Sequence, residues 1–129
     1  IGRKSNGSIL VMDDENVILE VVSAMLKAKG YKPVPARNGD EAIALVREAS
    51  LNNHHFSAAI LDLTIPGGRG GKETVRELLD IDADLKVIAA SGYSNDPVMA
   101  SPQEFGFSAS LIKPFRLADV EQALKELLS

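Results

Sequence analysis

The chain has 129 residues, a 45% hydrophobic fraction and a formal net charge of −4 from 14 Lys/Arg against 18 Asp/Glu, which fits one globular domain with a single core. With no cysteine there is neither a disulfide framework nor a thiolate metal site, and a reducing compartment is allowed. The acidic balance and scattered basic residues exclude a nucleic-acid-binding stripe, and no apolar run approaches the roughly 20 residues of a membrane span.

Residues 1–7 are polar and aperiodic and read as a disordered leader or the remnant of a linker, leaving 8–129 as the folded domain. The first strand is the apolar run Ser8-Ile-Leu-Val-Met12, closed by Asp13 and Asp14. Val17, Ile18, Val21, Val22, Met25 and Leu26 recur at helical spacing and predict a first helix that ends with Lys27, Lys29 and a C′ glycine at Gly30. Pro33 and Pro35 limit ladder hydrogen bonding in the next strand, about 31–36, and predict a sheet edge.

Asn38-Gly39-Asp40 is a turn and cap for a second helix carrying Ala42, Ile43, Leu45 and Val46, which fades near Ser50. The polar segment 51–57 holds His54 and His55; adjacent side chains point apart, so a solvated loop is favoured over a metal pair or phosphoacceptor. Ala58 to Asp62 is a third strand ending in an acid. The loop 66–71 is rich in glycine and precedes a helix with Val75, Leu78, Leu79 and Ile81 inward. It brushes against a P-loop pattern, but Pro66 and Glu73 occupy positions where that pattern needs Gly and Ser/Thr.

A fourth strand at 86–90 leads to Ser91. Asp96-Pro97 has the cap and first-turn proline of a helix start, and Pro102 predicts that this fourth helix is short or distorted. The fifth strand, 109–112, delivers Lys113-Pro114, a candidate cis bond. Leu117, Val120, Leu124, Leu127 and Leu128 then pattern a last helix, with Asp119 and Glu121 in its first turn.

Five near-continuous apolar strands alternating with helices predict a doubly wound α/β fold, a five-stranded parallel sheet of order 2-1-3-4-5 that is flavodoxin-like. In that order the first and third strands are neighbours at the topological switch point. Asp13, Asp14 and Asp62 then converge where such folds bind ligands.

Three carboxylates in one cleft repel one another, and a raised pKa or a bound cation relieves them. An all-oxygen set selects a hard ion, and magnesium, which keeps positions for water and phosphate oxygens, matches better than a closed calcium cage. Asp62 is central and can act as nucleophile toward a phosphoryl group. Ser91 can donate to a phosphoryl oxygen, and Lys113 can reach another with its long ammonium arm.

Asp13-Asp14, Asp62, Ser91 and Lys113-Pro114-Phe115 occur in the order and at the strand ends that mark the receiver domain of two-component response regulators, which the chain closely resembles from Ser8 to Leu128. The resemblance implies transfer of a phosphoryl group from a phosphohistidine of a histidine kinase, or of a histidine phosphotransfer domain, to Asp62. Asp13, Asp14, Asp62 and the backbone carbonyl of Thr64 would bind Mg²⁺, with Mn²⁺ able to replace it, while Ser91 and Lys113 read the phosphoryl group. It also implies slow autodephosphorylation, and a switching face of the fourth helix, fifth strand and fifth helix that a partner or tethered output domain senses.

The stretches Asp62-Leu-Thr-Ile-Pro-Gly-Gly-Arg-Gly-Gly-Lys-Glu73, Ser91-Gly-Tyr-Ser-Asn-Asp-Pro97 and Gly106-Phe-Ser-Ala-Ser-Leu-Ile-Lys-Pro-Phe115 look most like receivers attached to hybrid sensor histidine kinases. The expected location is cytoplasmic, alone or as the cytoplasmic part of a membrane-anchored kinase, with no direct nucleic-acid contact and no membrane insertion. One departure stands out: many members carry Tyr or Phe three residues before the lysine, and here that position is Ser110, with Tyr93 or Phe107 as possible substitutes. Adjacent acids can also simply cap a helix; the addition of Asp62, Ser91 and Lys113 favours a site. The alternatives are a stand-alone single-domain regulator, an aspartyl-phosphate phosphatase-like enzyme, a flavin binder and a degenerate receiver used only for docking.

Overall fold

The computed structural model describes residues 7–128; residues 1–6, most of the expected leader, and residue 129 lie outside it. In chain order the elements are β1 (Ser8–Met12), α1 (Asn16–Ala28), β2 (Lys32–Ala36), α2 (Gly39–Leu51), β3 (Ala58–Asp62) and α3 (Gly71–Ile81). They continue with β4 (Lys86–Ser91), α4 (Pro97–Ala100), a 3₁₀ turn (Pro102–Phe105), β5 (Ala109–Ile112) and α5 (Leu117–Leu128). The sheet is parallel throughout, in the order β2-β1-β3-β4-β5. Among the described residues no helix is long and apolar enough to cross a membrane.

The period-2 alternation of the strands divides the core into two layers. Leu10 and Met12 of β1 face the layer that holds Ile43, Val46, Val75, Leu78, Val98 and Phe107. Ile9 and Val11 face the layer formed by Leu19, Val22, Leu26, Val120 and Leu124. Helices therefore cover both faces, as unbroken apolar strands require.

Local chemistry accounts for the element ends. Gly30 follows α1 at φ 87°, a left-handed C′ position that glycine adopts without steric cost. The Asn38 side chain accepts from the Glu41 N–H at 3.0 Å, and Glu41 returns the contact by accepting from the Arg37 N–H at 2.9 Å. Asn38→Ala is therefore expected to cost about 1 kcal/mol, seen as a lower urea midpoint with an unchanged m-value. Pro102 ends the one-turn α4 and begins the 3₁₀ turn, as its missing N–H dictates.

Several expectations need correction. The buried stripe of α1 is Leu19, Val22 and Leu26, while Val17 and Val21 are 66% and 46% exposed. The helix carries more apolar positions than the sheet can cover, so periodicity alone misjudged its rotation. The fourth strand runs one residue further than expected, through Ser91, which pairs with Ile112, while the fifth strand ends at Ile112 as expected. Glu121 lies past the first turn of α5 and instead pairs with Lys29 at 3.0 Å. The Lys113–Pro114 bond is cis, as expected.

His55 is not merely solvated: its Nδ1 lies 3.4 Å from Oδ2 of Asp82, a buried carboxylate at the C-terminus of α3. The loop before β3 and the end of α3 meet at the end of the sheet where the parallel strands begin, which the 27-residue separation in sequence conceals.

Candidate functional site

The ends of β1 and β3 deliver the acids. Met12 pairs with Leu61, so Asp13 and Asp62, the next residue on each chain segment, leave the sheet side by side at the switch point. Asp13 and Asp62 are buried and Asp14 is exposed. The Asp13 N–H donates to the Ala36 carbonyl at 3.0 Å, and its Oδ1 accepts from the Glu15 N–H at 3.0 Å. One carboxylate oxygen from each of Asp13, Asp14 and Asp62 lies within 4.8 Å of the others.

On the other side, β4 and β5 supply a hydroxyl and an ammonium group. Ala90 pairs with Asp62, which places Ser91 one residue further out, and the Lys113 N–H donates to the Ser91 carbonyl at 2.9 Å. The Lys113 Nζ lies 2.6 Å from Asp13 Oδ2 and 3.5 Å from Asp62 Oδ1. Ser91 is buried, and its Oγ accepts from the Tyr93 N–H at 3.0 Å, an arrangement that leaves the hydroxyl proton to donate. Asp14, Asp62, Ser91 and Lys113 line one cleft of about 440 Å³, together with Glu15, Thr64, Pro66, Gly92 and Tyr93.

Burial pushes the Asp62 carboxyl up to about 6 from 3.8; Lys113 opposes the rise, the Asp13 charge adds to it and the Thr64 N–H opposes it. Burial also works against the Lys113 ammonium, but the bond to Asp13 and the charges of Asp62 and Asp13 outweigh it and raise its pKa. Asp62 is thus a carboxylate that is mostly ionised at neutral pH yet held at an energetic cost. Three acids against one ammonium leave excess negative charge, and the all-oxygen donor set fits a hard divalent cation.

The structure brings Asp13, Asp14, Asp62, Ser91, Lys113 and Thr64 to this one cleft. Glu15 is a lining residue that sequence reasoning missed, although its position directly after two acids was a signal. Lys113 was expected to face a phosphoryl group, and here it bridges Asp13 and Asp62. Of the two aromatics named for the missing switch residue, Phe107 is buried in the core, whereas Tyr93 is 68% exposed at the cleft. Ser110 donates from Oγ to the Met99 carbonyl at 3.2 Å, joining β5 to α4. A larger groove of about 670 Å³ lies between α1 and the β2 edge, but it mixes Glu20 and Glu41 with Lys27 and Arg37 and gathers no cluster of acids.

The family model described as the response regulator receiver domain matches residues 9–125. Sporulation initiation phosphotransferase F of Bacillus subtilis (strain 168) is 27% identical over 123 residues, covering 95% of this chain and 94% of that protein. Sensor kinase CckA of Brucella abortus (strain 2308) is 28% identical over 126 residues, covering 95% of this chain but only 13% of the kinase. Most of the curated relatives are longer, and the chain spans about half of their length or less.

Among solved structures, a CheY-like receiver domain protein from Methanospirillum hungatei JF-1 superposes with a TM-score of 0.82 at 25% identity, covering 95% of this chain and 94% of that one. The response regulator TrrA from Thermotoga maritima, solved in complex with Mg²⁺ and BeF, gives a TM-score of 0.78 at 28% identity, covering 95% and 99%.

Proposed function

Because the chain belongs to the response regulator receiver domain family, we propose that it accepts a phosphoryl group on Asp62 from a phosphohistidine of a histidine kinase or histidine phosphotransfer domain. The observation that carries this reading is the convergence of Asp62 with Asp13 and Asp14 inside 4.8 Å, with the Lys113 ammonium 3.5 Å from the Asp62 carboxylate.

In the proposed step an ionised Asp62 oxygen attacks the phosphorus, the P–N bond breaks toward the imidazole nitrogen, and that nitrogen takes up a proton. Asp62 is suited to attack because burial strips its hydration while leaving it ionised at neutral pH. Lys113 can turn from Asp13 to a phosphoryl oxygen, and Ser91 can donate to a second one. Both are charge-assisted bonds that strengthen as the group is transferred and persist once it is attached. Asp13, Asp14, Asp62 and the Thr64 carbonyl would hold Mg²⁺, which supplies neutralisation of the transferring oxygens. The new bonds of Ser91 and Lys113 would pull on the β4–α4 loop and on β5, giving the face of α4, β5 and α5 two states for a partner or tethered output domain to distinguish.

The setting we favour is the cytoplasmic receiver module of a hybrid sensor histidine kinase, supported by the 62–73 stretch and by the likeness to the Brucella sensor kinase; a stand-alone regulator is the alternative. A histidine kinase core encoded in the same reading frame is the expected finding on sequencing the full gene.

The phosphoacceptor reading is tested with phosphoramidate as donor and Mg²⁺ in excess. One phosphoryl group per chain should appear by intact mass, and hydroxylamine should remove it, as it does an acyl phosphate. A label that resists hydroxylamine and is lost in acid would belong to a histidine and overturn the assignment. Continuous release of phosphate with rapid turnover would favour the phosphatase reading instead.

A further inference from the structure

The loop that follows Asp62 carries Thr64, which lines the cleft beside Asp62 and whose backbone N–H favours the charged carboxylate. Residues 63–70 also include Gly67, Gly68 and Gly70, with Gly71 next, a composition that favours many backbone conformations. Something must hold the loop. Ile65 does so at one end, buried in the core.

At the other end the chain passes between α2 and α3. The Arg69 carbonyl accepts from the Gly39 N–H, the first residue of α2, at 2.7 Å. A side chain at Gly39 would strike the Thr74 hydroxyl of α3 and the Arg69 Cβ. Thr74 in turn donates to the Gly70 carbonyl at 2.6 Å, and the Gly70 N–H donates to Glu73 at 3.2 Å. Arg69 closes this arrangement with its guanidinium, which bonds Asp40 of α2 at 3.2 Å through Nη1 and Glu77 of α3 through Nη2. A planar, forked guanidinium offers separate N–H donors to the two carboxylates, one on each helix.

We infer that Arg69 is a positioning residue: by clamping the β3–α3 loop to α2 and α3, it fixes the Thr64 backbone against Asp62. Arg69 does not line the phosphoacceptor cleft, and it acts through the loop. The inference rests on the phosphoacceptor reading for its effect on rate, but the clamp itself is a statement about the free protein.

The test compares wild type with Arg69→Ala, Arg69→Lys and the double variant Asp40→Asn/Glu77→Gln. Hydrogen exchange is followed in the metal-free protein, and phosphoramidate labelling in Mg²⁺. Amides of 63–70 should exchange about tenfold faster in Arg69→Ala and in the double variant, with α5 unchanged. Labelling rates should fall about 3- to 10-fold, and Arg69→Lys should recover only part of each loss. Thermal midpoints should move little, because each ion pair is partly exposed.

Unchanged exchange in 63–70 overturns the clamp. Faster exchange with unchanged labelling overturns the positioning role, as does a rate loss no larger than the fraction of unfolded protein. Absence of labelling in wild type counts against the phosphoacceptor reading, and exchange then still decides the clamp.

Discussion

Replacing Asp62 by asparagine is expected to eliminate the hydroxylamine-labile phosphoryl group, a loss of at least about 10³-fold in labelling rate, as removal of a nucleophile typically gives. The amide keeps the shape of the side chain but offers no anionic oxygen to attack phosphorus. Neighbouring acids are poor replacements. Both oxygens of Asp13 are engaged, one by the Glu15 N–H and one by Lys113, and Asp14 is exposed. Lys113→Met should slow labelling about 10²-fold without moving the acceptor, the scale seen when one preorganised charge donor is lost. His54→Gln and His55→Gln should label at the wild-type rate. Retention of the label in Asp62→Asn together with its loss in a histidine variant would move the acceptor to the 51–57 loop and sink the assignment.

Much of the site was legible because Asp13, Asp62 and Ser91 each stand at the end of a buried strand. Strands of a parallel sheet covered on both faces are short apolar runs, and a polar residue at the end of such a run is conspicuous: Asp13 after Met12, Asp62 after Leu61, Ser91 after Ala90. Strand order then supplies proximity, and the prolines of β2 pointed to an edge. Where the sequence had more than one physical solution, reading it was less secure. Val17 and Val21 extend the apolar pattern of α1 beyond the stripe the sheet can bury, so the helix could be turned either way until its packing was seen.

Contacts between distant polar residues carry no periodic signal at all. The pairing of His55 with Asp82, the bridging of Asp13 and Asp62 by Lys113, and the fork of Arg69 between α2 and α3 depend on which segments the fold brings to the same end of the sheet. Ser110 is an intermediate case. Its departure from the aromatic pattern was visible, but its bond to the Met99 carbonyl depends on where the one-turn α4 comes to rest.

The same Asp62→Asn change that ends function should stabilise the metal-free domain at neutral and higher pH. A carboxyl whose folded pKa is raised binds its proton more tightly in the folded state, so its contribution is fully present below the unfolded value of 3.8 and is lost as pH rises through about 6. The full difference corresponds to at most about 3 kcal/mol, and solvent reaching the cleft reduces the expected gain of the asparagine variant to about 1–2 kcal/mol. In EDTA the two proteins should therefore melt together near pH 4, with the variant higher by about 3–6 °C at pH 8. Magnesium reverses the comparison. At about 100 times its Kd it adds about 2.7 kcal/mol to wild type, and less to a variant that has lost one of the three carboxylates. Thermal melts at both pH values, with EDTA and with magnesium, separate the two effects. A variant that melts lower than wild type in EDTA at pH 8 would mean that Lys113 more than compensates for burying Asp62. The acceptor would then not be a charge held at a cost until metal and phosphoryl group arrive.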